Sequence, residues 1–317
     1  MMSLSIYIKQ PRNIGKSLLY HFGGRLSDSL YLRLMYYFQT GRRLHLKHPK
    51  TYNEKLQWLK LHDRKPEYTT MVDKYAVKEY VANIIGKEYI IPTLGVWDRP
   101  EEIAWGALPR QFVLKTTHGG GSKGVIICRD KATFDRAKAI SHLRSSMMKS
   151  LYKNYREWPY KNVKPRVIAE EYLSENNPST NSGQENGIKD YKFFCFNGKP
   201  LYCGIFSGRW SKMGADYFDM EWSHLPFTLK GNPFAENVPE KPKGFETMCQ
   251  LAVKLSVGHP HLRVDFYEVN GKVYFGELTF YSASGFGQFE PDEWDEIWGN
   301  NILIHNSWQS QAAKPSA

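Results

Sequence analysis

The chain has 317 residues, of which 41% are hydrophobic and 15% aromatic; this excludes a disordered chain and is enough for two or three lobes with substantial cores. No stretch has the length and apolarity of a membrane span, and no signal-peptide pattern opens the chain. Its four cysteines form no C-x-x-C pair, so we expect buried thiols and a cytoplasmic location. The cysteines are Cys128, Cys195, Cys203 and Cys249.

The net charge of +11 is concentrated in residues 1–50, which hold nine Lys and Arg residues and one acid, Asp28. Leucine, tyrosine and phenylalanine alternate with these cations. A basic amphipathic segment of this kind suits an anionic membrane surface. The structural alternative is a helix packed on the body with its basic face in water. Nucleic acid, which any basic patch attracts, is the least favoured partner, and we expect none.

Two helices are expected next. Residues 53–61 have helical spacing, with Leu56 and Leu59 facing inward. Asp73 is a candidate cap for a helix over residues 74–85, which Gly86 would end.

A glycine-rich block follows at residues 112–127. An apolar run reaches Lys115, breaks into glycines at 119–121 and 124, and resumes as a second apolar run. Glycines can turn several backbone N–H groups toward one anion, and the flanking cations complete the charge match, so the block predicts a phosphate-covering flap. It is not a Walker A loop, because G-x-x-x-x-G-K-[ST] is absent and a strand follows. A glycine-rich hairpin turn with a surface lysine is the alternative.

The later elements alternate between strands and helices. Residues 207–244 show no clear periodicity, and residues 174–189 are polar and predict a loop. The predicted elements are a helix near 131–150, a strand at 167–173, strands at 191–196 and 201–206 joined by an Asn197-Gly198 turn, a helix at 245–257, and strands at 262–268 and 272–280.

The last two strands carry a second set of polar residues. Arg263 shares a strand face with Asp265, and Glu277 shares one with Thr279. A two-residue turn between the strands would place the two acids on opposite faces, whereas a three-residue loop would place all four side chains together. Both turns are common.

If the acids share a face, their mutual repulsion calls for a cation between them. Hard carboxylate oxygens suit Mg2+, which takes the rest of its shell from water and nucleotide phosphates. Arg263 would then neutralise charge that develops during group transfer. The alternative is a surface ion pair between Arg263 and Glu277, with Asp265 in water.

The order of these motifs resembles that of ATP-grasp ligases. The series runs from Lys74 to Lys115 and its glycines, then to a Glu-Glu-Tyr-Leu strand end, an Arg-x-Asp pair and a Glu-x-Thr pair. Three phrases resemble the TupA-like branch, which is similar to teichuronopeptide, capsule and O-antigen biosynthesis proteins: residues 53–58, 190–193 and 276–280. The resemblance covers roughly residues 50–300. It implies an α+β ATP-grasp fold, in which two lobes clasp ATP, preceded by a basic helical segment.

The resemblance also implies residue roles. Lys74 and Lys115 would contact the α- and β-phosphates of ATP, and Glu170 would lie near the adenine amino group, while Lys192 would reach phosphate or an anionic substrate or be a surface lysine. The flap over the β- and γ-phosphates would comprise His118, Gly119, Gly120, Gly121, Ser122, Lys123 and Gly124. The adenine edge would meet backbone groups of Glu171, Tyr172 and Leu173. Arg263 would stabilise the acyl phosphate, and Mg2+ would bind Asp265, Glu277 and Thr279.

The chain departs from the family pattern in two places. Thr279 stands where asparagine is usual, and Tyr281 to Gly285 replaces a frequent Pro-Gly. The expected organisation is a basic segment at 1–50, a helical α/β region at 51–105, a small lobe with the flap at 106–172, and a large lobe with the metal site at 173–317.

The implied activity is ATP-dependent ligation of a carboxylate to an amine through an acyl phosphate. The expected partners are ATP, an amino acid or other amine, and a uronic acid or acidic sugar of cell-surface polysaccharide biosynthesis at the inner membrane face. The alternatives are a glycan or sugar kinase on the same scaffold, a glycosyltransferase, for which no Asp-x-Asp motif is present, and a non-catalytic membrane-binding module.

Overall fold

A computed structural model describes residues 11–121, 124–174, 188–207 and 214–304. Ser122 and Lys123 of the predicted flap, and most of the predicted polar loop at 174–189, lie outside the described residues.

The described chain begins with two helices that form a hairpin. Helix α1 spans Pro11–Phe22 and α2 spans Asp28–Thr40, with the left-handed Gly41 (φ 77°) at its end. Gly15 faces Phe38 of α2, and Gly23, just beyond α1, faces Tyr31, so the helices run antiparallel. The described part of the basic N-terminal segment is therefore mostly helical, as predicted, with helices over Pro11–Phe22 and Asp28–Thr40.

Three helices lead from this hairpin toward the first sheet. Helix α3 (Tyr52–His62) starts with a capping box formed by Thr51 and Glu54 and is buried on nearly all sides. After α4 (Glu67–Val72), Asp73 accepts hydrogen bonds from the first amides of α5 (Ala76–Ile85). Gly86 ends α5, as predicted, and α5 begins two residues later than expected.

The smaller sheet is antiparallel, with strand order β1-β4-β2-β3. Helix α6 packs against β2, and the core between them is apolar. The elements are β1 (Thr93–Trp97), β2 (Phe112–Thr116), β3 (Val125–Cys128), α6 (Arg136–Met147), α7 (Leu151–Tyr155) and β4 (Val167–Glu171).

The larger sheet has the order β10-β9-β5-β6-β7, and helix α8 covers one of its faces. Strand β7 lies in the stretch 207–244, where the sequence predicted no element. The elements from Asp190 onward are β5 (Asp190–Phe196), β6 (Lys199–Ser207), β7 (Gly214–Phe218), β8 (Thr228–Leu229), α8 (Phe245–Ser256), β9 (His261–Val269), β10 (Lys272–Thr279), β11 (Phe289–Glu290) and α9 (Glu293–Asn300). Of these, β8 and β11 pair with each other in a separate two-stranded sheet.

The larger sheet and its helix α8 contact α4, α5 and the turn before β1. Ile90 bridges to Phe275 of β10, and the Lys74 amide bonds to the carbonyl oxygen of Thr117 at 2.9 Å. Within the described ranges, no helix has both the length and the apolar content needed to span a bilayer.

Candidate active site

The β9–β10 hairpin combines a short turn with a bulge. Asn270 and Gly271 form a two-residue turn, both with positive φ, which pairs Lys272 with Val269. The register then shifts between Phe275 and Glu277, because Gly276 is an extra residue in β10.

The bulge brings the four polar side chains together. Glu277 pairs with Asp265, and Thr279 pairs with Arg263. The predicted consequence of a two-residue turn, acids on opposite faces, is therefore wrong. A three-residue loop is absent, and the bulge produces the shared face instead.

The Arg263 guanidinium ties this cluster together. It donates to both Asp265 oxygens, at 2.7 and 2.8 Å, to Glu277 Oε1 at 2.8 Å and to Thr279 Oγ1 at 3.0 Å. Burial alone would lower the pKa of Arg263, but the carboxylates of Asp265 and Glu277 raise it above its ordinary value. Asp265 is buried, so the alternative in which it stands in water is wrong.

Lys192 on β5 is the second cation on Asp265. Its Nζ lies 2.5 Å from Asp265 Oδ2 and 2.7 Å from Asp190 Oδ2. Lys192 is buried, so it is not a surface lysine. Asp190 was missed by the sequence analysis, although residues i and i+2 of a strand share a face.

Lys74 connects the glycine block to the acids. Its Nζ donates to the Gly119 carbonyl at 2.6 Å and to Glu277 Oε2 at 3.3 Å. Burial would raise the pKa of Glu277, but Lys74, Arg263 and Lys192 hold it below its usual range. Glu277 is therefore a carboxylate at neutral pH.

Lys115 lies beside a second lysine that the sequence analysis missed. Lys115 Nζ is 2.5 Å from one oxygen of Glu170, and Lys78 Nζ is 2.6 Å from the other. Burial would raise the pKa of Glu170, but the two lysines lower it to about 2. Lys78 also donates to the Ile91 carbonyl. The feature of the sequence that could have identified Lys78 was its position four residues after Lys74.

The backbone after Glu170 is less available for binding adenine than the resemblance implies. The Glu171 amide donates to the Pro92 carbonyl at 3.1 Å. Tyr172 and Leu173 are half-buried. Adenine recognition by the Glu171 N–H would therefore compete with an existing hydrogen bond.

The described residues of the predicted flap lie in two places: His118 is buried near Lys149, whereas Gly119 and Gly124 lie against Thr116. His118 is buried, and its Nε2 lies 3.1 Å from the Lys149 carbonyl oxygen. Burial lowers the pKa of His118. Gly119 and Gly124 both lie against the Thr116 hydroxyl, where a Cβ would come within 2.8 and 2.4 Å of it. The two glycines therefore allow the block to fold over Thr116.

A buried ammonium supports the segment that follows β10. Lys60 of α3 donates to Gln57 Oε1 (2.9 Å) and to the carbonyls of Tyr155 (2.9 Å) and Ser284 (2.7 Å). Burial lowers the pKa of Lys60 to about 7. The Ser284 hydroxyl donates to Glu157 Oε1 at 2.5 Å. The only feature of the sequence that could have indicated the burial of Lys60 was its position one turn after the inward-facing Leu56.

This segment also contacts Arg263. Ala283 and Ser284 have positive φ values of 48° and 54°, a left-handed conformation unusual for residues with a Cβ. Arg263 donates to the Ser282 hydroxyl at 3.2 Å. Lys60 and Glu157 thus hold a strained turn beside Arg263.

The site offers Mg2+ a small set of oxygen ligands, namely two carboxylates and a hydroxyl. Asp265, Glu277 and Thr279 all accept from the same guanidinium nitrogen of Arg263, so their oxygens converge. No cluster of three or more His, Cys, Asp or Glu side chains suited to a metal occurs in the described ranges. Two carboxylates match an ion that takes its other ligands from water and phosphates.

The remote likenesses among solved structures are to ATP-grasp ligases. D-alanine–D-alanine ligase from Helicobacter pylori is 14% identical, with 83% of this chain and 69% of that chain covered and a TM-score of 0.42. D-alanyl-alanine synthetase A from Vibrio cholerae is 15% identical, with 82% and 71% covered and a TM-score of 0.43. The ATP complex of the Bacillus anthracis ligase is 16% identical, with a TM-score of 0.37; the match covers 67% of this chain and 54% of that one. A comparison with curated proteins found no match.

The sequence profile of a known protein family matches this chain and identifies first its class of protein and then its family. It is an ATP-grasp profile, so the α+β ATP-grasp fold and the ligase class predicted from the ordered motifs are confirmed. The profile is that of the TupA-like ATPgrasp family, and it matches residues 54–303. The chain belongs to this family.

Proposed function

We propose that this protein is an ATP-dependent carboxylate–amine ligase that joins an amino acid to a uronic acid or another acidic sugar. The observation that carries the proposal is the Arg263 guanidinium, which bridges the paired acids Asp265 and Glu277 while Lys74 joins Glu277 to the glycine block. This arrangement offers carboxylate oxygens and the positive charges of Arg263 and Lys74 at one place.

The charge balance supports an anionic substrate. Five cations and four carboxylates form two groups of ion pairs, one on Glu170 and one around Asp265 and Glu277, and each of the nine has at least one partner. A triphosphate can therefore exchange with these carboxylates as the partner of the lysines. The cations are Lys74, Lys78, Lys115, Lys192 and Arg263, and the carboxylates are Glu170, Asp190, Asp265 and Glu277.

The residues would act in two steps. First, the carboxylate oxygen of one substrate takes the γ-phosphoryl group of ATP, giving an acyl phosphate and ADP, while Lys74 and Lys115 hold the phosphates. Mg2+ bound by Asp265 and Glu277, with Thr279 beside them, would supply charge neutralisation on the phosphates. Second, an amine attacks the acyl carbon, the C–N bond forms, and phosphate and a proton leave. Arg263 stabilises the oxyanion that develops at that carbon.

The setting that we propose is the assembly of a cell-surface polysaccharide at the inner face of the cytoplasmic membrane. The support is the family assignment together with the charge of residues 1–50, whose nine cations stand against one acid. Anionic lipid headgroups attract such a segment.

The test is product analysis. The full chain is incubated with ATP, Mg2+ and a panel of uronic acids and amino acids, and ADP and product masses are measured. We expect ADP and an amide in equal amounts, with both lost in Asp265→Asn. Lys254→Met, a change on α8, is the matched control and should leave turnover unchanged. ADP without an amide contradicts the proposal, and a product that gains a phosphoryl group identifies a kinase.

A further inference from the structure

Helix α1 presents an apolar stripe to solvent. Ile14, Leu18 and Phe22 are 40%, 54% and 78% exposed. They are spaced four residues apart, so they line one face of the helix. The adjoining face, with Gly15, Leu19 and Gly23, packs against α2. The stripe therefore consists of side chains that the fold leaves uncovered.

Helix α2 continues this apolar surface. Its Tyr31 and Met35 pack with α1, and its Leu32 and Tyr36 belong to the main core. The side opposite that core carries Leu30 and Tyr37, which are 45% and 51% exposed. The two helices pack against each other, so both sets of exposed apolar side chains belong to one helical hairpin. We call this surface the outward face; it comprises Ile14, Leu18, Phe22, Leu30 and Tyr37.

Cations outnumber acids in the part of the sequence that carries the outward face. Asp28 is the only acid of residues 1–50, and it is already bound to Arg64 at 2.7 Å and to Arg156 at 3.1 Å. Arg42 is paired with Asp292. The exposed cations of the hairpin and the segment after it include Arg12, Arg25, Arg33, Arg43, Lys47 and Lys50.

We infer that the outward face docks onto the surface of a bilayer that contains anionic lipids. Apolar side chains in line along a surface helix enter the boundary between headgroups and acyl chains, and flanking Lys and Arg bind the anionic headgroups. The charge complementarity favours this partner over a second copy of the chain, whose matching face would be equally positive. The inference rests on the proposed membrane setting and is independent of the proposed reaction.

The test measures binding to vesicles without ATP or substrates, so a failed ligase assay does not affect it. The full chain is sedimented with vesicles of phosphatidylcholine alone or mixed with phosphatidylglycerol. We expect binding to the mixed vesicles only, and weaker binding as salt is raised. Leu18→Ser with Phe22→Ser should reduce binding about tenfold or more.

The matched control is Val253→Ser with Val257→Ser, an exposed apolar pair with the same spacing near the end of α8. It should bind vesicles like the wild type. Circular dichroism and ATP affinity should be unchanged in both double variants, which separates docking from folding.

Four results would overturn the inference. The first is no binding to anionic vesicles, and the second is binding that survives Leu18→Ser with Phe22→Ser. The third is a lipid-free dimer, detected by sedimentation velocity, that the same double variant dissociates, because the outward face would then be a subunit interface. The fourth is binding to an RNA oligonucleotide that competes with vesicles, because the basic residues would then bind nucleic acid instead of lipid.

Discussion

Glu277 lies directly opposite Asp265 across two antiparallel strands, and one extra residue, Gly276, puts it there. The bulge rotates the remainder of β10, so Arg263 can bridge both carboxylates with a single nitrogen. The geometry of the candidate site therefore depends on the backbone at Gly276.

The first prediction concerns this bulge. A Cβ at residue 276 would lie 3.0 Å from the Asp265 carbonyl oxygen and 3.2 Å from the Tyr267 ring. We expect Gly276→Val to push the strands apart and lower ATP turnover by about 100-fold, because small displacements of catalytic groups cost about that much. Gly106→Val, at an exposed glycine with open space around it, is the control. Wild-type turnover in Gly276→Val would show that the bulge does not set the site.

The second prediction concerns the oxygen of residue 279. Thr279 Oγ1 lies among the acid oxygens, but a neutral hydroxyl is a weaker ligand than an amide carbonyl for a hard cation. We expect Thr279→Asn to lower the Mg2+ concentration that gives half-maximal ADP formation, and Thr279→Val to raise it. An unchanged Mg2+ dependence in both variants would remove residue 279 from the metal site.

The third prediction concerns Lys78. Lys78 and Lys115 share the Glu170 carboxylate. Without Lys78, Lys115 becomes the sole cation on Glu170 and is held back from phosphate. We expect Lys78→Met to raise the KM for ATP by about tenfold, the worth of one charge-assisted hydrogen bond, with kcat little changed.

The control for Lys78 is Lys87→Met, a change at an exposed lysine just beyond the same helix. Steady-state kinetics with varied ATP measures both. A fall in kcat with constant KM would contradict a role in positioning Lys115.

The fourth prediction concerns the buried ammonium of Lys60. Methionine would fill the space but leave three buried acceptors without their donor: Gln57 Oε1 and the carbonyls of Tyr155 and Ser284. We expect Lys60→Met to lower the free energy of unfolding by about 3 kcal/mol, as measured by urea titration.

Lys55 offers a comparison on the same helix. It is only half-buried and donates to two carbonyls, those of Gly299 and Ile302. Lys55→Met should cost about 1 kcal/mol. Equal costs for the two variants would contradict the importance of burial at Lys60.

The fifth prediction concerns pH. Burial lowers the pKa of His259 to about 4 and that of His261 to about 3. Both imidazoles titrate near 6.5 in the unfolded chain, so below that pH the unfolded state binds more protons. Stability is therefore unaffected by these groups above pH of about 6.5 and falls as the pH drops toward 4, by up to about 2.7 kcal/mol per pH unit.

Variants that keep the hydrogen bonds test this origin. The Nδ1 of His259 bonds the Tyr68 hydroxyl, and the Nε2 of His261 bonds the Tyr52 hydroxyl. His259→Asn with His261→Gln should flatten the dependence of unfolding free energy on pH between 4 and 6.5. His48→Gln, at an exposed histidine, should leave the slope as it is. An unaltered slope in the double variant would assign the acid sensitivity to other groups.

Local pattern was enough to predict most of the elements. The Asn197-Gly198 turn and its two strands, the end of α5 at Gly86, and the helix over residues 245–256 are all present. These features follow from alternation, helical spacing and glycine at positive φ, which depend on neighbours in the chain. Strand β7 was missed because all five of its residues are buried, so its sequence shows no alternation, and its pairing with β6 is a tertiary contact.

Pairing between distant residues could not be read from the sequence. Lys78 of α5 and Lys115 of β2 meet on Glu170 of β4 only in the folded chain. Lys60 meets Ser284 across 224 positions of chain. Nothing local to Lys60 distinguishes a buried ammonium from a lysine whose stem alone is buried.

The sequence by itself determined the family, the order of the motifs, the glycine block and the excess of positive charge in residues 1–50. The tertiary structure decided which of those charges are neutralised and which carboxylates share a face. The division has a physical reason: composition and periodicity are local properties of the chain, whereas the register of a hairpin depends on backbone pairing. The two-residue turn at Asn270-Gly271 formed, but the extra residue Gly276 in β10 reversed the face on which that turn alone would have placed Glu277.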